Sequence, residues 1–183
     1  MNWRAILLVV WAAGAGAAED FSVETTRRGT VVEVSAHAVI EADYATVWGT
    51  LTDYDHLAEF VPGMRASRIV GRSGADLIVE QRGESRFLIF TFPLEVTVRA
   101  SALPPDRIEV RLLKGSLKRL EGGYRVESVG AGRIALRWQG LVEPESLPPL
   151  LGELLMRASI RDQFGGMVRE IERREAVRRE AAK

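Results

Sequence analysis

The chain has 183 residues, with 25 Lys and Arg balancing 25 Asp and Glu, and it contains no cysteine. That length fits one domain with short terminal extensions. An apolar fraction of 46% beside 27% charged residues is the make-up of a folded domain and excludes global disorder. Zero net charge leaves no basic field to gather nucleic acid, and the missing cysteines remove thiol chemistry and cysteine metal sites.

Arg4 is the only charged side chain before Glu19, and Ala5 to Ala13 is an apolar run closed by Gly14, Ala15, Gly16, Ala17 and Ala18. This is the pattern of a secretory signal peptide, with an Ala15-Gly16-Ala17 cleavage box. The competing reading, a membrane anchor, needs about 20 apolar residues, and the run is shorter. The sequence therefore predicts residues 1–18 as a cleaved signal peptide and an exported, periplasmic mature protein. A polar lead over 19–29 follows. Val32, Val34, Ala36, Ala38 and Ile40 then alternate with Glu33, Ser35 and His37, the period-two pattern of a strand with one buried face. Asp43 is placed to cap a short helix whose inner face carries Val47, Trp48 and Leu51. A second short helix, His56 to Val61, stops at Pro62-Gly63.

From Met64 the pattern is of strands joined by turns: 66–70, 77–83, 87–100, 107–113, 117–129 and 133–142. Gly122-Gly123 predicts a bulge. Pro144 to Pro149 forms a stiff connection into a long amphipathic helix, in which Leu151, Leu154, Leu155, Ala158, Ile160, Phe164, Met167, Val168 and Ile171 recur at three- and four-residue spacings. Residues 173–183 form a charged helical tail without an apolar stripe, expected to protrude or fray. The fold class is α+β: a curved antiparallel sheet of about 6–7 strands around the long C-terminal helix, with two short helices after strand one, the domain running over 30–172. A gap between the two layers is the expected binding site.

The segment Val47-Trp48-Gly49-Thr50-Leu51-Thr52-Asp53-Tyr54, followed by Phe60-Val61-Pro62-Gly63-Met64, resembles a signature of the START-like (SRPBCC, helix-grip) superfamily, in particular its coenzyme Q-binding and polyketide cyclase/dehydrase branch. Gly115-Ser116-Leu117-Lys118-Arg119-Leu120 before Gly123-Tyr124 is similar to a second stretch of that group, with Leu117 and Tyr124 where phenylalanine and tryptophan are expected. The resemblance spans about Val32 to Ile171. It implies the helix-grip fold, and because lipid carriers, quinone-binding proteins, cyclases and hydrolases share that scaffold, function has to be argued from the site.

By strand alternation, Leu77, Val79 and Gln81 share one face, Phe90 and Phe92 another, and Trp138 a third, with Phe60 and Met64 near a cavity mouth and Leu154 and Ala158 on the helix. With these side chains inward, each buried ligand methylene contributes about 0.8 kcal/mol. The competing reading is that they pack as solid core. Gly165-Gly166 in mid-helix costs about 1 kcal/mol per glycine relative to alanine, so the helix either packs very close to the sheet there or leaves ligand space. Gln81 and Arg119 are the polar residues that alternation brings toward the interior, although a rim position suits Arg119.

Catalytic chemistry finds little footing. His37 belongs to the outer strand face and His56 to a surface helix. Asp53, Asp55 and Glu59 form an acidic cluster better explained by capping than by a cation or a base. No metal-ligand spacing and no phosphate-binding glycine loop occurs. The sequence predicts no cofactor, no metal and no nucleic-acid partner. It favours a binding or transfer protein for a lipid, isoprenoid quinone or polyketide-like molecule, with transient membrane contact for ligand exchange; the alternative is a cyclase or dehydratase acting on such a substrate. The oligomeric state is not legible.

Overall fold

The computed structural model of the protein describes residues 19–87, 90–145 and 152–183, with side chains 19, 85–87, 90–92 and 152 left out. The segment 1–18 and most of the Pro144 to Pro149 connection lie outside the described residues. The elements are β1 (Glu19–Arg28), β2 (Val31–Glu41), α1 (Tyr44–Leu51), a 3-10 turn (Tyr54–His56), α2 (Leu57–Phe60), β3 (Met64–Ser73), β4 (Asp76–Phe87), β5 (Phe90–Leu103), β6 (Arg107–Gly115), β7 (Leu117–Gly130), β8 (Arg133–Pro144) and α3 (Gly152–Ala181). The strands form one antiparallel sheet in the order β1-β2-β8-β7-β6-β5-β4-β3. This is the expected α+β helix-grip architecture, with eight strands among the described residues.

The additional strand is β1, in the segment read as a polar lead. Phe21, Val23 and Thr25 alternate with Ser22, Glu24 and Thr26, too few apolar residues to stand out. Pairing supplies the rest: Val23 lies opposite Ala36 and is 2% exposed, and the Phe21 ring meets Phe164 of α3 at 5.6 Å. Arg157 on α3 donates to the Val23 carbonyl at 3.2 Å. β1 therefore closes the sheet edge against the helix.

β2 keeps the alternation read from sequence, with Val32, Val34, Ala36, Ala38 and Ile40 all buried. Facing them are Ile134 and Leu136 of β8, Val47 and Leu51 of α1, and Phe164, Met167, Val168 and Ile171 of α3. A fully buried aliphatic or aromatic side chain of this kind contributes about 1.5–3 kcal/mol. The expected bulge at Gly122-Gly123 is absent: Val110 opposes Gly122 and Glu109 opposes Gly123 without a shift. Register shifts fall instead between Leu117 and Arg119 and between Ser128 and Gly130. The two glycines serve close approach, since a Cβ at Gly122 would lie 2.7 Å from the Gly140 Cα and 2.9 Å from the Trp138 ring. Strands lacking side chains at this crossing bend without a bulge.

The helix glycines resolve the same way. Gly166 packs on the α2–β3 turn, where a Cβ would lie 2.6 Å from the Phe60 carbonyl oxygen and overlap the Pro62 ring. The close approach is thus to this turn, whereas the sequence predicts the sheet. Gly166→Ala should therefore destabilise by about 1–3 kcal/mol in denaturant unfolding despite the better helix propensity of alanine. Gly165→Ala, whose Cβ would meet a mobile Arg169 side chain at 3.1 Å and Phe21 at 3.7 Å, should be neutral or stabilising.

The charged end of α3 does not fray. Glu175 is 2% exposed and reaches α1, its Oε2 accepting hydrogen bonds from Thr46 Oγ1 at 2.8 Å and from the Asp43 backbone N–H at 3.3 Å. Asp43 occupies the N-cap position as expected, but its side chain makes no capping bond and pairs with Arg178 at 2.6 Å. Glu175 thus caps α1 from a distant part of the chain. Its bond from Arg178 leads, burial opposes, and Thr46, the Asp43 N–H and Arg179 add to the pull that brings its pKa to about 2. A depressed carboxylate stabilises the fold above its unfolded pKa, and that stabilisation fades as pH falls from about 4.5 toward 2. Glu175→Gln should lower stability at pH 7 by about 2–3 kcal/mol and flatten this acid limb in melts across pH 7 to 2.

Candidate ligand-binding cavity

The inward side chains of the sheet fall into two sets. One is fully buried and runs across the sheet, with Leu136 of β8 at 0%, Ile108 of β6 at 1%, Val98 of β5 at 2% and Val79 of β4 at 0%. The other packs on this core yet stays half-buried: Leu94, Leu112, Leu117, Leu120, Tyr124 and Trp138. Pairing in register sets Trp138 beside Tyr124, between the buried Ala36 of β2 and Ile108 of β6. The Trp138 and Tyr124 rings meet edge to face at 6.4 Å and 83°. The indole covers Gly140 and Gly122, taking the volume their missing side chains leave.

A cleft of about 660 Å³ opens between the α2–β3 turn and α3, lined by Pro62, Gly63, Met64, Arg65, Glu84, Ser159 and Asp162. Its volume is in the range of small-molecule sites. Arg65 and Glu84 form an ion pair across its edge. Gly63 has φ of 79°, and its carbonyl accepts the Glu84 N–H at 2.7 Å, fixing the turn against β4.

The sequence-derived lining residues fare unevenly. Met64 lines the cleft, and Trp138 lies half-buried on the inner face. Leu77 and Gln81 share the concave face and are half-buried, whereas Val79 between them belongs to the solid core. Phe60 is clamped by the Arg174 guanidinium, 5.3 Å from its ring centre, and so joins α2 to α3 more than it lines a mouth. Ala158 is half-buried, but Leu154 is 55% exposed while Leu155 is 7% exposed, because the helix turns Leu155 and not its neighbour toward the sheet. Arg119 lies on the outer face, ion-paired with Glu121, since the shift after Leu117 turns Leu120 inward instead. The side chains of Phe90 and Phe92 lie outside the described residues.

Polar groups that the sequence did not single out complete the interior. Tyr54 is 6% exposed and Ser67 7%, and neither hydroxyl has a hydrogen-bond partner among the described residues. Ser67 lies opposite Gln81, bringing both to the concave face. Burial pushes the Tyr54 phenol up to about 12 and raises that of Tyr124, where the nearby Tyr54 adds to the effect. Tyr124 could have been found by combining alternation with the Trp138 register, whereas Tyr54 leaves a 3-10 turn that no periodicity marks.

The acidic cluster is structural. Burial opposes ionisation of Asp53, but hydrogen bonds from His56 at 2.6 Å and Arg174 at 2.9 Å outweigh it and lower its pKa. Asp55 accepts the Ile69 N–H at 2.7 Å. His37 lies near the Asp20 carbonyl at 3.2 Å, on the outer face. Among the described residues no cluster of three or more metal-ligating side chains occurs, and no helix is long and apolar enough to cross a membrane.

A sheet gripping one long helix, with an apolar inner face left partly open, defines the START-like class of domain. The family model for polyketide cyclase/dehydrase and lipid transport matches residues 40–169, and the chain belongs to that family. Among solved structures it is similar to the Zhui aromatase/cyclase from Streptomyces sp. R1128, at 16% identity and a TM-score of 0.69, over 83% of this chain and 98% of that one. A STAR-related lipid transfer protein from Xanthomonas axonopodis matches at 11% identity and 0.60, over 82% and 98%. The lipid transfer and protein localization domain of human StarD13 matches at 12% and 0.63, over 85% and 87%. At these identities the likeness shows the fold. Among curated proteins no sequence matches significantly.

Half-burial makes the lining testable. Phe164, 4% exposed in the solid core, should cost about 3–5 kcal/mol when replaced by alanine. Trp138→Ala should cost clearly less in denaturant unfolding and should alter Nile red affinity severalfold; equal stability costs would mean the Trp138 region is solid core.

Proposed function

We propose that the protein is an exported carrier that holds a hydrophobic small molecule, such as a lipid, an isoprenoid quinone or a polyketide-like compound, between its curved sheet and α3. The observation that carries this reading is the set of apolar inner-face side chains that stay half-buried, Leu94, Leu112, Leu117, Leu120, Tyr124 and Trp138. An extended apolar surface of this kind gains about 25 cal/mol per Å² when a ligand covers it. Family membership supports the same class of ligand. The reading of 1–18 as a signal peptide supports export to a periplasm.

The inner polar groups favour carriage over cyclisation. Gln81, Ser67, Tyr54 and Tyr124 are neutral, and with both phenols raised neither serves as a base near neutral pH. A cyclase or dehydratase would have to move protons through Gln81 or a tyrosine of this face, and turnover lost on substituting one of them with binding retained would favour that alternative. The deciving measurement is native mass spectrometry of the mature protein isolated from its own compartment, with identification of what organic solvent releases and N-terminal sequencing of the chain. A defined apolar molecule stoichiometric with a chain cut near Ala18 is expected. A consistently empty protein would overturn the carrier reading, and an uncut N-terminus would overturn export.

A further inference from the structure

We infer that the Tyr54 hydroxyl, seconded by Ser67, is an internal hydrogen-bond donor that anchors a neutral, carbonyl-bearing end of the bound molecule, a ketone, quinone, ester or amide. This rests on the carrier reading and narrows its ligand class. Buried hydroxyls in folded proteins are overwhelmingly hydrogen-bonded, and leaving one unpaired costs about 1–3 kcal/mol. Here two are unpaired among the described residues, each more than nine-tenths buried.

Their placement is fixed from outside. The 3-10 turn carrying Tyr54 is held by Asp53 to Arg174 and His56 on one side, and by Asp55 to the Ile69 N–H of β3 on the other. Ser67 precedes Ile69 by two residues on that strand and faces Gln81 of β4. The Tyr54 phenol also lies close enough to Tyr124, on the half-buried lining, to affect its ionisation. The turn is thus rigid while the hydroxyl at its inner end is unused.

The chemistry of the partner follows. A phenol whose pKa is pushed up to about 12 keeps its proton throughout the physiological range, so it offers a donor, and the ligand supplies an acceptor. The described arginines around this site are already engaged: Arg174 pairs with Asp53 and Glu170, Arg65 with Glu84, and Arg119 with Glu121 on the outer face. Burying a carboxylate or phosphate there without a counter-charge would be prohibitive, whereas a carbonyl needs only the donor that is present.

The test uses two neutral fluorescent probes: propionyl-dimethylaminonaphthalene, whose emission moves to the red when its ketone accepts a hydrogen bond, and the propyl counterpart lacking the carbonyl. Tyr54→Phe should weaken the ketone probe about tenfold and shift its bound emission to the blue, and leave the propyl probe unchanged. Without probe, this variant should unfold at the same or a higher midpoint, because it deletes an unpaired hydroxyl. Ser67→Ala should produce a smaller loss in the same direction. Equal ketone affinity in wild type and Tyr54→Phe, with both probes bound, would overturn the anchor and leave the carrier reading standing. A lower unfolding midpoint for probe-free Tyr54→Phe would also overturn the anchor, since the hydroxyl would then already be satisfied, for instance by a buried water. Binding of neither probe would overturn the carrier reading and the anchor with it.

Discussion

The arrangement depends on how α3 is held inside the sheet, and a buried carboxylate fixes its far end. Glu175 comes from a helix turn that is otherwise charged, yet it is 2% exposed and accepts hydrogen bonds from Thr46 and the Asp43 N–H at the start of α1. Two arginines of its own helix, Arg178 and Arg179, balance its charge from the solvent side. A negative group at a helix N-terminus also complements the α1 dipole. Removing one partner would strand a buried charge, so the contact fixes register as well as adding stability. About two and a half turns earlier, Gly166 lets α3 touch the Phe60 to Pro62 turn. Between these two points, α3, α1 and α2 behave as one layer.

With that layer fixed, the curvature of the sheet decides what is solid and what is open. Gly122, Gly123 and Gly140 remove side chains where β6, β7 and β8 approach most closely, and register shifts in β3 and β7 add twist. Fully buried positions run across the sheet from Ala36 of β2 to Val79 of β4, and other inward side chains of the same chemistry stay half-buried between them. Identical alternation therefore yields a core residue at Val79 and a lining residue at Leu77 two positions earlier.

Charge is sorted just as sharply. The ion pairs of the sheet lie on its outer face or at the cleft rim, as with Arg119 and Glu121, Arg137 and Glu127, and Arg65 and Glu84. The polar groups of the inner face, Gln81, Ser67, Tyr54 and Tyr124, are neutral. Such an interior tolerates an apolar molecule with one or two hydrogen-bonding atoms and opposes a formal charge.

Period-two alternation in β2 and β8, three- and four-residue spacing in α3 and the turn at Pro62-Gly63 are local signals, and they were enough to read the α+β architecture with its long closing helix. The segment from Trp48 to Tyr54 pointed to the superfamily for the same reason, being contiguous. What is non-local was not readable. β1 is a strand because β2 and Phe164 receive it, Gly122 and Gly123 are a close crossing because Gly140 and Trp138 lie opposite, and Arg119 faces outward because of a register shift two residues earlier. The sequence by itself determined which faces are apolar and how the elements follow one another. Only the tertiary structure decided that Glu175 is buried, that Tyr54 ends in the interior without a partner, and which inward side chains stay half-buried, because each of these depends on residues more than a hundred positions apart or on the angle at which two elements meet.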